Sequence, residues 1–250
     1  MTSMFRTGLL AFVLLVPAAA VADEFDTKQR EEIGAIVRDY LLKNPEILLE
    51  VSRELEKRQQ VAEEQQRETA VAENAAELFH SKSDFVAGNA KGDVTMVEFF
   101  DYNCSWCKKG LPEVLSLIEG DKNLRLVLKE FPIFGEGSEY AARAALASNK
   151  QGKYWQFHLA MLGHEGKLAK EDVDRIAVAQ GLDLTTLKKD MESPEVAEVI
   201  DRNQKLAQAM AINGTPAFII DRKVVPGYLP KEGLAAAVKE IRDAGGCMVC

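Results

Sequence analysis

Residues 94–107 read Val94-Thr95-Met96-Val97-Glu98-Phe99-Phe100-Asp101-Tyr102-Asn103-Cys104-Ser105-Trp106-Cys107, and two periodicities meet within them. The first seven are mostly apolar, β-branched or aromatic, a run of strand length that predicts a buried central strand. After Cys104, Leu111, Val114, Leu115 and Ile118 recur at helical spacing, so a helix is expected over residues 105–118. Pro112 should kink it, because its ring removes a backbone N–H and crowds the preceding turn. Cys104 thus falls where a strand hands over to a helix N-terminus. Leu124 to Phe131 reads as a second strand closed by Pro132, and strand, helix and strand make a βαβ unit, hence an α/β fold.

That placement decides what the cysteines can do. Disulfide exchange is carried by thiolate rather than thiol, so a reactive cysteine needs a lowered pKa. The N–H groups and dipole at a helix start stabilise negative charge. Two intervening residues put the Cys107 sulfur within bridging reach of Cys104 on the first helical turn. Cys104 is then expected to be the exposed nucleophile, and Cys107 the resolving thiol that releases a mixed disulfide. An inert disulfide and a zinc site are the competing readings. A structural zinc site needs about four ligands, and His158 and His164 lie on a separate, helical segment. A Cys-x-x-Cys beside a βαβ pattern reads as redox, with no cofactor and no metal.

Downstream, Glu139 to Asn149, Lys153 to Leu162, Glu171 to Gln180, Thr185 to Met191 and Pro194 to about Ile212 read as helices, punctuated by Gly152, Gly163, Gly166 and Gly181. They form a helical insertion over about 138–212. Within it His158 sits among Tyr154, Trp155 and Phe157 and reads as a packed side chain, since no partner lies at ligand spacing. Phe131-Pro132-Ile133-Phe134 reads as core and loop that could add an apolar rim to a peptide groove. Ala217 to Asp221 and Val224-Val225 read as short strands around a turn at Arg222-Lys223, and Lys231 to Asp243 as a closing helix.

Upstream, residues 81–93, with Gly88 and Gly92, read as a boundary loop. Before it, Ile33, Ile36, Val37, Tyr40 and Leu41 mark a short amphipathic helix. Asn44-Pro45 interrupts it, with Asn44 suited to cap a second helix and Pro45 to begin one. Leu48, Val51, Leu55 and Ala62 form a narrow stripe on that helix among Glu, Gln, Arg and Lys, through about Glu68, and Ala70 to Phe79 should continue as helix. Such a stripe either packs on its own domain or pairs with another chain, and pairing is preferred although Arg58 and Gln65 break the heptad pattern.

The first residues resemble an export leader: Arg6, an apolar run from Gly8 to Val16, and a small-residue cleavage site at Ala20-Val21-Ala22. The mature chain should start at Asp23. The run is short for a membrane span, which favours a soluble exported product. The formal charge of −8 argues against a nucleic-acid partner. Outside the cytosol thiols are normally oxidised unless kept reduced, and all four cysteines persist as two pairs of equal spacing.

Phe99 to Cys107, the helical insertion, and Gly214-Thr215-Pro216-Ala217-Phe218 together resemble the DsbA-like family of periplasmic thiol-disulfide oxidoreductases, over roughly Asp93 to Asp243. Residues 36–45 resemble the branch that includes the suppressor-of-copper-sensitivity protein ScsC. The resemblance implies a thioredoxin-like fold with a helical insertion, preceded by an N-terminal helical segment. It also implies a periplasmic oxidase or isomerase acting on exported cysteine-containing proteins, and a membrane redox partner of the DsbB-like or DsbD/ScsB-like type. A homo-oligomer, dimer or trimer, built through the N-terminal segment is implied too. Thr215 and Pro216 should form a cis-proline loop facing the cysteines and, with Ser105 and Trp106, contact substrate. Glu98 should be the buried acid that exchanges a proton with Cys107; a strand-end charge or an ion-pair partner of Lys129 is its alternative. The domains are then 1–22 leader, 23–80 N-terminal helices, 81–244 catalytic domain and 245–250 tail.

Two features depart from the family. The founding member carries Pro and His between its cysteines, where this chain has Ser105 and Trp106. Loss of the His removes one partner of the thiolate, so the Cys104 pKa should be lowered less than in the strongest oxidants. The tail pair Cys247-Met248-Val249-Cys250 has no helix after it. It reads as a local accessory disulfide, a tethered second redox pair, or a soft-metal site. A rival for the whole chain is a copper-handling or chaperone-like oligomer that binds without redox turnover.

Overall fold

The computed structural model describes residues 25–250, so the expected leader and mature start at Asp23 lie outside the described residues. The chain divides into two compact units between Arg58 and Gln59, upstream of the boundary expected after residue 80. The reason is burial: Val71, Leu78 and Phe79 belong to the core of the second unit.

The first unit holds helix α1 (Thr27–Lys43) and the start of α2 (Glu46–Glu73). Asp26 opens α1 with a capping box, accepting from the Gln29 N–H at 2.8 Å while Gln29 accepts from the Asp26 N–H. Asn44 serves α1 rather than α2: it is the C-cap, and its side-chain amide donates to the Tyr40 carbonyl at 2.8 Å. No residue of α1 is buried. Ile33, Ile36, Val37, Tyr40 and Leu42, and on α2 Leu48, Val51 and Leu55, are exposed large apolar side chains.

The second unit continues α2 to Glu73 and, after a break at Asn74, has α3 (Ala75–Phe79). Five strands follow: β1 (Phe85–Gly88), β2 (Val94–Phe100), β3 (Leu124–Glu130), β4 (Ala217–Ile220) and β5 (Lys223–Pro226), in the order β1-β3-β2-β4-β5. β2 is central and buried at all seven positions, parallel to β3 and antiparallel to β4. Strand β1 occupies residues read as loop, paired antiparallel with β3. Its Gly88 has φ 70°, and a Cβ there would stand 2.6 Å from the Leu124 carbonyl oxygen, so the glycine permits the pairing instead of ending it. The final hairpin turns at Asp221-Arg222, one residue earlier than expected, because Ile220 pairs with Lys223 and Asp221 adopts φ 53°.

Alternation along the strands splits the core in two. Met96, Phe100, Leu126, Phe218 and Ile220 face one layer, with α4 (Ser105–Gly120), α10 (Lys231–Asp243) and most of the inserted helices. Val97, Phe99, Val127 and Ile219 face the other, with α3 and the end of α9. Helix α4 runs through Pro112 without ending. The insertion comprises α5 (Glu136–Ser148), a 3-10 turn (Asn149–Gln151), α6 (Tyr154–Leu162), α7 (Lys170–Ala179), α8 (Leu184–Met191) and α9 (Pro194–Ala209). Helix α5 packs closely through Ala141, Ala142, Ala144, Ala145 and Ala147, all buried, as small side chains allow. The fold is thioredoxin-like, a mixed sheet between helical layers. Among the described residues no helix is long and apolar enough to cross a membrane.

Candidate redox site

Strand β2 delivers the cysteines to the end of the sheet, where Asp101 organises the handover. One Asp101 carboxylate oxygen accepts from the Asn103 N–H at 2.6 Å and the Ser138 hydroxyl at 2.8 Å; the other accepts from the Ile133 N–H at 2.7 Å and the Phe134 N–H at 3.2 Å. Its carbonyl accepts from the Cys104 N–H at 3.1 Å. One buried carboxylate thus ties the Cys104 loop to the loop after β3 and the start of α5. Neither spacing nor periodicity marked Asp101 for this role, although it stands inside the deciding stretch.

Cys104 is the N-cap of α4, with extended backbone at φ −77° and ψ 116°. Its sulfur accepts from the Cys107 N–H at 3.3 Å and donates to the Thr215 carbonyl at 3.1 Å. The Thr215-Pro216 bond is cis, and that loop lies against the sulfur. Cys104 is therefore only 3% exposed, a correction to the expectation of an exposed nucleophile: the proline loop covers it. Trp106 alongside is 51% exposed. Its ring lies 5.4 Å from that of Tyr228, with Lys109 Nζ 4.7 Å above the indole and 5.1 Å above the Tyr228 ring. Ile133 and Phe134 are exposed, while Phe131 is buried. Beside the proline loop opens a groove of about 180 Å³ lined by Arg67, Asn213, Gly214, Thr215, Pro216 and Val224, among others.

The electrostatics separate the two sulfurs. Cys104 and Cys107 stand as free thiols. The Cys107 thiol, as hydrogen-bond donor to Cys104, is the main cause that lowers the Cys104 pKa to about 6, against burial, which raises it. Thr215 and the N–H groups of Cys107 and Trp106 add to the lowering, and the buried Thr215 hydroxyl, unpartnered in the dithiol form, has its proton free for the thiolate. Cys107 shifts the opposite way: burial first, then the Cys104 sulfur and Glu98, push its pKa far up. Glu98 is 6% exposed, on the same strand face as Met96 and Phe100 and so on the side of α4. Burial, reinforced by charge on Cys104, raises its pKa to about 8. The ion pair with Lys129 is not formed. Lys129 lies on the opposite face, bound to Asp84 and to the Glu77 carbonyl.

Sequence reasoning also missed a buried polar cluster behind the cysteines. Glu130 accepts from the hydroxyls of Tyr102 at 3.0 Å and Tyr154 at 2.7 Å, and Tyr102 shares a 3.0 Å hydrogen bond with His158 Nδ1. Burial holds the Glu130 pKa well above the carboxylate range and lowers that of His158 to about 3, so the imidazole is neutral. His158 is packed among aromatic rings, 4.8 Å from Phe100 and 5.4 Å from Trp155, as a core side chain would be. At the other end of the sheet, Cys247 and Cys250 form a disulfide.

Comparison with known proteins agrees with this geometry. Residues 29–62 match the copper resistance protein ScsC N-terminal domain. A thioredoxin-like oxidoreductase from Silicibacter pomeroyi is 48% identical, with a TM-score of 0.66 over 67% of this chain and 97% of that one. BcfH from Salmonella enterica Typhimurium is 33% identical, with a TM-score of 0.72 over 85% and 96%. ScsC from Proteus mirabilis, in a transitional conformation, is 26% identical, with a TM-score of 0.64 over 86% and 98%. A Na(+)/H(+) antiporter NhaA from Salinispora arenicola is 31% identical over 62% of this chain, which spans about a quarter of that relative's length. The DSBA-like thioredoxin domain is matched over residues 95–239, more than half of the chain, and the protein belongs to that family.

Proposed function

We propose that the protein is a periplasmic thiol-disulfide oxidoreductase that exchanges disulfides with exported cysteine-containing proteins through Cys104 and Cys107. The observation that carries this reading is the placement of Cys104 at the N-cap of α4 against the cis Thr215-Pro216 bond, with Cys107 one turn on; it pairs with a Cys104 pKa lowered to about 6 and a Cys107 pKa pushed up. The Cys104 thiolate attacks a client disulfide, forming a mixed disulfide and expelling the client's other sulfur as thiolate, which takes a proton from water. The ionised fraction of Glu98, which grows as pH rises towards about 8, accepts the proton of Cys107, and the Cys107 sulfur attacks the Cys104 sulfur. The client leaves reduced, and Cys104–Cys107 is oxidised. Run backwards, the same steps oxidise a client dithiol. If the expelled client sulfur attacks elsewhere in the client before Cys107 acts, the client is isomerised. Trp106, Ser105 and the Thr215-Pro216 loop border the approach to the sulfur and hold the client strand.

Between oxidase and isomerase we favour the isomerase, with a DsbD/ScsB-like membrane reductase in place of a DsbB-like oxidase. The exposed apolar stripe on α1 and α2 supports a homo-oligomer, in which several Cys104 sites can engage one misfolded client. The deciding experiment traps Cys104 and Cys107 in cells by rapid acid quench and alkylation. A mostly reduced pair is expected, and a mostly oxidised one would establish an oxidase. If variants lacking both cysteines retain full activity towards clients, the chain acts by binding alone.

A further inference from the structure

The tail cysteines sit at the far end of the sheet from Cys104. The Cys250 sulfur accepts from the Thr95 N–H at 3.4 Å, near the first residue of β2, whereas Cys104 follows its last. At about 3.3 Å per strand residue those ends are roughly 15–20 Å apart. The tail pair therefore does not reach the Cys104 site of its own chain.

The tail is nevertheless held in place. Gly245 and Gly246, at φ 104° and 97°, turn the chain back after α10. The N–H groups of Met248 and Val249 then donate to the same oxygen of Asp221, Oδ1, at 2.8 and 2.9 Å. Asp221 is 3% exposed and fixed in the left-handed region by the β4–β5 turn. Its other oxygen takes no part in those bonds. A carboxylate oxygen of Asp221 and the sulfurs of Cys247 and Cys250 all lie within 4.8 Å of one another.

We propose that the reduced tail is a metal site for a divalent cation of the zinc class, held by Cys247 Sγ, Cys250 Sγ and the Asp221 carboxylate, with a fourth position open. Two thiolates and a carboxylate suit a cation that accepts sulfur and oxygen tetrahedrally, and they exclude magnesium and calcium, which take oxygen alone. Two residues between the cysteines is zinc-ligand spacing, and the half-buried sulfurs leave one side open to water or an outside donor.

The same arrangement disfavours a second redox pair. At Cys104 a helix start draws the thiolate out, whereas among the described residues no helix follows Cys247 or Cys250. The Thr95 N–H supports the Cys250 thiolate once formed. A dithiol reductant supplies the two electrons and two protons that open the Cys247–Cys250 bond and itself becomes a disulfide; the two new thiols release two protons as the cation binds. Disulfide and metal are thus mutually exclusive states of the tail.

The test uses the full chain with Cys104→Ser and Cys107→Ser, which removes the competing thiols, and titrates it anaerobically with Co²⁺ after reduction. One Co²⁺ per chain is expected, with sulfur-to-cobalt charge-transfer absorption and tetrahedral ligand-field bands that Zn²⁺ abolishes. The same protein with its tail oxidised should show none, a comparison that needs no further substitution. Asp221→Asn keeps an oxygen for the Met248 and Val249 N–H groups and should weaken binding roughly tenfold or more. The proposal is overturned by absence of thiolate–cobalt absorption in the reduced chain. It is equally overturned by undiminished absorption in the oxidised chain or in a Cys247→Ser, Cys250→Ser variant, or by unchanged affinity in Asp221→Asn.

Discussion

The thiol of Cys104 donates to the backbone carbonyl of Thr215 at 3.1 Å, joining residues 111 apart in sequence. The Cys107 donor and the Thr215 side chain lower the Cys104 pKa and give the site its asymmetry, which alkylation can read. The rate of Cys104 modification by iodoacetamide should rise with a midpoint near the pKa of about 6, while Cys107 stays unmodified in the folded protein. Because the folded pKa lies below the unfolded value, the thiolate stabilises the reduced fold above the unfolded pKa, and that contribution is lost as pH falls through about 6. A midpoint at the unperturbed thiol value would refute the asymmetry.

Glu98→Gln should raise stability and slow turnover together. A carboxyl whose pKa is about 8 in the fold holds its proton there while the unfolded chain releases it above about 4.5. Stability therefore declines as pH rises between those values and stays lowered above about 8. Glutamine removes that decline, a gain on the order of 3–5 kcal/mol at pH 8.5 and none at pH 4. Release of the mixed disulfide, followed by stopped flow, should slow at pH 8.5 because Cys107 loses its proton acceptor. A melting temperature that shifts equally at both pH values would sink this account of Glu98.

Ser105→Pro with Trp106→His should lower the Cys104 pKa below its present value and make the pair more oxidising. The indole that stacks near Tyr228 under Lys109 is replaced by a ring that donates hydrogen bonds. Titration of thiolate absorbance in both proteins measures the change, and identical curves would count against it.

How far the sequence could be read depended on the range of the interactions involved. β2 and α4 were legible because apolar runs encode them locally, and with them came the position of Cys104. β1 was not, because four residues ending in Gly88 become a strand only beside β3. The resemblance placed the Thr215-Pro216 loop opposite the cysteines, but that this loop buries Cys104 was not legible, because Thr215 lies far along the chain. Asp101 and Glu130 carry no local signal of their roles, since their partners Ser138, Tyr102 and Tyr154 are brought to them only by the finished fold.

Asp84→Ala should destabilise the protein by about 3–5 kcal/mol, as expected when one partner of a buried ion pair is removed. Lys129 and Asp84 have fully buried side chains, and Arg202 adds a second contact to Asp84 at 2.6 Å. Denaturant unfolding measures the loss, which would have to stay below about 1 kcal/mol for the pair to count as a surface-like bridge.

Leu48→Asp with Leu55→Asp places charge on exposed apolar positions of α2. Sedimentation should show a fall to the mass of a single chain, with turnover of a small aromatic disulfide unchanged and refolding of a scrambled multi-disulfide client reduced several-fold. If the wild type already sediments as one chain, the stripe does not assemble the protein.

The contact between Cys104 and Thr215 also sets when reactivity begins. Chains are made from the N-terminus, so Cys104 and Cys107 are synthesised before the whole helical insertion, and β4 comes after it. Until Thr215 arrives, the nascent pair lacks part of the surroundings that distinguish its two sulfurs. An unfinished or truncated chain therefore lacks the part of the lowering that Thr215 supplies, and the reagent that could scramble its neighbours is fully armed only by the completion of its own fold.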